Sequence, residues 1–173
     1  LCTEGSYAPL AGASACAHCT AGSFCALGST EQTPCSPGSF SAADGAAECS
    51  RCDGGSYQEA EGATGCEACL AGHHCKEGAS VALPCDAGSW SDATDLASQV
   101  QCTPCRAGHA CASCETAESE CAAGSSAAAN SSTCAPCAEG SYVPSAGGSA
   151  CANCTAGSFC ALGSTEQTPC SPG

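Results

Sequence analysis

Large apolar side chains are sparse along this chain and recur in one setting. An aromatic residue stands five positions after a cysteine and two after a glycine at Tyr7, Phe24, Phe40, Tyr57, Trp90, Tyr142 and Phe159. Between these marks the chain is small or polar, rich in Ala, Ser and Gly. No apolar run approaches the ~20 residues of a membrane-spanning helix. The glycine predicts a tight turn with positive φ just after the cysteine, because Gly takes that conformation at little steric cost. The ring predicts a cover for the nearest disulfide, giving each module a miniature core of one ring and one or two cystines. His74 takes the ring position of its module, and Ser126 takes it in another.

The cysteines set the period. They return every 16 to 20 residues, at Cys2, Cys19, Cys35, Cys52, Cys69, Cys85, Cys105, Cys121, Cys137, Cys154 and Cys170, each followed three residues later by a glycine. Modules of about 17 residues result, in two variants. The first reads C-x-x-G-S-aromatic and closes on C-x-x-C, as from Cys2 to Cys19. The second moves its inner cysteine forward to C-x-A-G-x-x-C, as in Cys19–Cys25–Cys35. The module from Cys85 is longer, with an insert around Asp92–Val100. A second period of 135 residues lies above the first, since residues 19–38 reappear letter for letter at 154–173. Residues 1–136 are therefore read as one eight-module superrepeat and 137–173 as the start of the next copy. A structural cable gains from near-identical units, because equal units make equal contacts.

Composition narrows the class. The apolar fraction of 43% is mostly Ala and Cys, too poor in large side chains for one globular core. With 22 cysteines in 173 residues, the chain is a disulfide scaffold of an oxidising compartment. Such chains fold through covalent staples rather than burial. The net charge of −14 argues against nucleic acid and against an anionic membrane surface. Surface carboxylates offer weak Ca²⁺ binding at most, and no EF-hand spacing is present. Methionine is absent, so the chain is read as a window of a longer secreted protein.

Spacing ranks the disulfide pairings without fixing them. The local scheme joins Cys2–Cys16, Cys35–Cys49, Cys52–Cys66, Cys85–Cys102, Cys121–Cys134 and Cys137–Cys151 in the first variant. In the second it joins Cys19–Cys25, Cys69–Cys75, Cys105–Cys111 and Cys154–Cys160. A first-variant loop of about 15 residues stabilises by about 3 kcal/mol in the chain-entropy picture. The competing scheme interlaces, with Cys19–Cys35 and Cys25–Cys49. Local pairing leaves Cys170 to pair beyond Gly173 and Cys114 without a partner. Cys114 stands where sister modules carry Gly28, Gly78 and Gly163. Residues 2–136 hold 17 cysteines, an odd number, so Cys114 is the candidate for a bond between chains. A local rearrangement with Cys105, Cys111 and Cys121, or a pairing that crosses into the next period, is the alternative.

These residues resemble the ephrin-receptor-like cysteine-rich repeats, which share C-x-x-G-x-aromatic and C-x-x-C and are similar in style to tumour-necrosis-factor-receptor modules. The resemblance covers the whole chain. It implies a small disulfide-rich repeat array, an elongated solenoid-like rod of short β-ladders and irregular loops with almost no helix. Near-exact duplication and the Ala, Gly and Ser content look most like the very large surface proteins of protists and algae, among them mastigoneme proteins of flagellar hairs.

Candidate chemistry is thin. The C-x-x-C knuckles repeat with Gly and aromatic marks in a fixed frame, unlike zinc ribbons of reducing compartments, and they lack the βαβ setting of a redox motif, so no metal and no cofactor are assigned. His73 and His109 share one slot, and His18 stands apart. No Ser–His–Asp or Cys–His grouping points to catalysis, and the chain is read as no enzyme. Asn130-Ser131-Ser132 and Asn153-Cys154-Thr155 fit the N-glycosylation acceptor, so covalent glycans are expected at Asn130 and Asn153. The functional expectation is an extracellular structural protein, secreted or at the cell or flagellar surface. It would be a subunit of a glycosylated filament, a mastigoneme-like hair or a surface coat. The expected partners are identical chains or a second filament protein, with no nucleic acid and no direct membrane insertion in this segment. The alternative is a ligand-binding or stalk ectodomain of a cell-surface receptor.

Overall fold

The computed structural model describes residues 1–9 and 15–171. Every module folds the same way. The residues after the first cysteine form a four-residue turn, closed in the first module by the Ser6 amide donating to the Thr3 carbonyl at 3.1 Å. Gly5, third in that turn, has φ of +78°. Positive φ at this position alone defines a type II turn. Pro37 precedes Gly38 in the third module, where a type II turn favours proline. The serine after the glycine adds its own clasp: Ser6 Oγ donates to Thr3 O at 2.8 Å, and Ser39, Ser56, Ser89, Ser125 and Ser141 repeat the bond.

That serine and the ring beside it form a two-residue strand. It pairs antiparallel with the two residues just before the next module's cysteine, as Ser6–Tyr7 with Ala17–His18 and Ser39–Phe40 with Ser50–Arg51. Ten such ladders account for the sheet, and a single 3-10 turn, Gln99–Gln101, is the helical content of the described residues. The cystines form the core. Cys19, Cys25, Cys35, Cys52, Cys69, Cys75, Cys85, Cys105, Cys111, Cys121 and Cys137 are essentially inaccessible to solvent.

The chain divides into two compact units, 1–83 with 94–101, and 84–93 with 102–173. The superrepeat boundary at 136/137 lies inside the second. Within each unit one hydrogen-bonded seam recurs. In the first, Gly22 N–H donates to Ser41 O at 2.8 Å and Cys25 N–H to Ala46 O at 3.0 Å, both in the next module. Gly45 N–H donates back to Cys19 O at 2.7 Å, and Cys35 N–H to Gly22 O at 2.9 Å. The second unit repeats all four bonds as Gly108 to Ala127, Cys111 to Ser131, Asn130 to Cys105 and Cys121 to Gly108, at 2.8–3.0 Å. Every donor and acceptor is main chain. Such a seam tolerates Ala, Ser or Gly at most side-chain positions.

Within each unit, modules also interlock with the module two further on. A Cβ on Gly22 would overlap the Gly62 carbonyl oxygen, with its carbon at 2.8 Å. Gly5 stands so against Gly45, Gly38 against Gly78, Gly88 against Asn130, and Gly108 against Gly147. Gly140 and Gly157 keep the same positive φ with nothing within 4 Å. The residue presenting that carbonyl is itself left-handed in every described module. It is Gly45, Gly62, Gly78, Gly147 or Gly163 in five modules and Asp95 or Asn130 in two, and Gly28 and Cys114 hold the same left-handed slot in their modules.

One feature differs from expectation. The ring does not simply cap its own module: Tyr57 is buried against Cys69, Cys75 and Ala79, the cystine and turn of the following module. The other rings are half-buried, and Phe159 is 54% exposed. The insert after Trp90 joins the seam of the first unit. Asp95 N–H donates to Cys69 O at 3.0 Å, Leu96 O accepts from Cys75 N–H at 2.7 Å, and Leu96 is buried.

Candidate functional site

The covalent frame is the dominant chemistry. Ten disulfides join Cys2–Cys16, Cys19–Cys25, Cys35–Cys49, Cys52–Cys66, Cys69–Cys75, Cys85–Cys102, Cys105–Cys111, Cys121–Cys134, Cys137–Cys151 and Cys154–Cys160. Their Cα–Cα separations run from 5.5 to 6.3 Å, inside the range a cystine spans. These are local loops, not interlaced ones. A frame of this density persists in an oxidising environment, which makes the chain extracellular or surface-exposed. No helix among the described residues is long and apolar enough to cross a membrane.

Two cysteines are free and exposed, Cys114 and Cys170. Cys170 continues the seam, its amide donating to Gly157 O at 2.8 Å. Cys114 sits in the left-handed slot with φ of +68°. Asp95 and Asn130 suit that slot, since short polar side chains tolerate it, and cysteine does not. Beside it, Ser113 Oγ donates to the Cys85 carbonyl at 3.3 Å. In other modules the equivalent cysteine carbonyl accepts the slot residue's own amide.

The two glycosylation acceptors stand in different settings. Asn130 is exposed at a left-handed turn, and Ser132 is exposed two residues on. Asn153 is exposed in a ladder, opposite Ser141. Its Thr155 hydroxyl is engaged, donating to Gln167 Oε1 at 2.8 Å, with the Thr155 amide on the same oxygen at 3.0 Å. Gln32 clasps Thr20 in the same way in the second module.

In the module from Cys105 this clasp becomes ionic. Arg106 Nε lies 2.6 Å from Glu118 Oε1, and the Arg106 amide donates to Glu118 Oε2 at 3.2 Å. Arg106 Nη2 also donates to His109 Nε2 at 3.1 Å. His73, in the same slot as His109, turns Nδ1 to the Ala71 carbonyl at 3.0 Å. His74 is half-buried in its ring position, and His18 lies exposed over Gly45. Among the described residues no three His, Cys, Asp or Glu side chains converge as metal ligands.

The first unit carries two adjoining clefts. One is bordered by Ser36, Gly38, Arg51, Lys76 and Gly78, and Glu77 also lines it. The other is bordered by Lys76, Gly78, Ala79, Val81 and Leu83. Sequence reasoning passed over both, because Arg51 and Lys76 lie two modules apart.

Comparison with known proteins bears on this same stretch. Residues 38–83 match the family model described as tyrosine-protein kinase ephrin type A/B receptor-like. No curated protein matches the chain.

Proposed function

We propose that this chain, whose residues 38–83 form an ephrin-receptor-like cysteine-rich repeat and whose other modules repeat that geometry, is an extracellular structural array rather than a catalyst. In this reading it is a subunit of a glycosylated filament, a mastigoneme-like flagellar hair or a surface coat. The 135-residue unit is the assembly repeat. The observation that carries the reading is the seam. Four main-chain hydrogen bonds recur from module to module, on a sequence that duplicates 20 residues letter for letter. Identical units joined by identical contacts propagate, and a non-closing contact between them yields an open assembly.

Partners in this reading are identical chains or a second filament protein. Cys114 is the proposed interchain link, because it is exposed, unpaired and held in a slot that disfavours cysteine. Asn130 is the favoured glycan site and Asn153 the second. Cys170 pairs with a cysteine beyond Gly173. Non-reducing peptide mapping of native material tests the link. A peptide joining Cys114 to another chain supports it, and an intrachain Cys114 bond refutes it. A stalk or ligand-binding ectodomain is the second reading, favoured by the family match itself. One discrete ligand bound at fixed stoichiometry would reverse the order of the two.

A further inference from the structure

We propose that the paired clefts of the first unit receive the Ala-Leu-Gly-Ser-Thr-Glu loop of a second copy of this chain, the acidic end at Arg51 and Lys76 and the leucine at Val81 and Leu83. The inference rests on the self-assembly reading above and supplies a contact for it.

The argument begins with charge. The chain has three Lys and Arg residues against 17 Asp and Glu. Arg106 is held by Glu118. The other two cations, Arg51 from the third module and Lys76 from the fifth, border the same cleft. Neither has a carboxylate within 4 Å among the described residues, although Glu77 lines the cleft. Two like charges sharing a cleft repel each other, and an incoming carboxylate relieves that repulsion.

Their convergence follows from the interlock. The residue just before each module's closing cysteine lies over the left-handed glycine two modules on: His18 over Gly45, Pro34 over Gly62, Pro136 over Gly163. Arg51 occupies this position in its module, with Cδ 3.6 Å from the Cβ position of Gly78. Lys76 stands two residues before Gly78. The array thus places a cation where no other module has one, Glu120 standing in the same position over Gly147, and it does so beside the lysine of the facing turn.

The second cleft supplies the other half. It shares Lys76 and Gly78 with the first and is walled by aliphatic side chains, Val81 being 50% and Leu83 43% exposed. No aromatic residue borders either cleft, so stacking on a sugar ring has no platform there. An aliphatic side chain close to a carboxylate fits both halves.

The chain carries such a group twice, at 26–31 and 161–166. In both loops the leucine is largely exposed, Leu27 at 70% and Leu162 at 66%, and Glu31 and Glu166 are exposed. Neither loop borders the clefts in its own chain, so the contact is made between copies. It is heterologous and leaves each copy with a cleft and a loop to offer onward.

The test titrates the full disulfide-bonded chain, labelled with nitrogen-15, with the acetylated and amidated octapeptide Ala-Leu-Gly-Ser-Thr-Glu-Gln-Thr. Saturable shifts confined to the amides around Ser39, Lys76, Gly78 and Ala79 are expected. The double variant Arg51→Gln, Lys76→Gln should weaken binding about tenfold. Both side chains are exposed, so unchanged signals elsewhere report an intact fold. Peptides with Gln for Glu or Ser for Leu should also bind more weakly. Raising salt toward 1 M, where screening acts within about 3 Å, should weaken the wild-type complex. No shift at several millimolar peptide, or equal binding by the double variant, overturns the proposal. So does dextran sulfate shifting these amides when the peptide does not, which would mark a polyanion site. Filaments that persist in the double variant, with no peptide binding, would overturn this contact and leave the structural reading standing.

Discussion

Substituting Gly22 and Gly157 by alanine separates two demands that the repeat makes on one glycine. Both lie in the same 20-residue sequence, and both are left-handed, with φ of +84° and +86°. They differ in their surroundings. Gly22 faces the Gly62 carbonyl two modules on, and Gly157 has nothing within 4 Å. A left-handed alanine costs about 1–2 kcal/mol wherever it sits. Forcing a methyl group into a packed contact adds about 1–3 kcal/mol. Gly157→Ala should therefore destabilise its turn by about 1–2 kcal/mol and Gly22→Ala by about 2–5 kcal/mol. Native-state hydrogen exchange on the intact chain measures this locally. The reporters are the seam amides of Cys25 and Gly45 for the first variant, and that of Cys170 for the second. Each variant is compared with wild type at its own reporters. At tenfold per 1.4 kcal/mol, Gly22→Ala should accelerate exchange about 5- to 150-fold more than Gly157→Ala. Equal acceleration would refute the interlock and reduce the conserved-looking glycine to a turn residue.

Three further outcomes follow from the geometry. Cys114→Gly should stabilise its module by about 1 kcal/mol and Cys114→Ala should not, because only glycine relieves the left-handed backbone; denaturant melts under non-reducing conditions compare them. Glu118→Gln should cost less than about 1 kcal/mol, because Arg106 is 69% exposed and a glutamine oxygen can still accept the Arg106 amide, as Gln32 does for Thr20; a loss of several kcal/mol in thermal unfolding would contradict this. Burial, with Glu67 and Glu59 nearby, holds the Tyr57 phenol above its ordinary value. The folded chain therefore keeps that proton longer than the unfolded one. The associated stability is complete below the ordinary phenol range and is lost as pH rises through the folded value. Absorbance titration should show a late-ionising tyrosine that disappears in Tyr57→Phe.

Much of the fold was legible because covalent spacing and turn chemistry are written locally. A cysteine, a glycine three residues on and a ring two beyond that announce the turn and its strand, and a 14-residue separation announces a closed loop. The module-to-module contacts were not legible, since they run through main-chain atoms that leave no pattern in side-chain identity. Gly62 offers its carbonyl to Gly22 whatever lies between. Asp95 reveals the limit most clearly. It fills a glycine slot from inside an insert, and only its φ and its bond to Cys69 identify it. Cys114 was legible as an intruder among glycines, and the backbone supplies the reason it is costly there. Arg51 and Lys76 were invisible as a pair, because a helix or strand period does not connect residues 25 apart. The two-module interlock does.

Electron microscopy of native, unreduced material tests the central claim most directly. The account predicts filaments with a regular axial repeat that corresponds to one 135-residue unit, disrupted by reduction. Separate, monodisperse particles with no axial repeat would contradict it and turn attention to a receptor-like ectodomain.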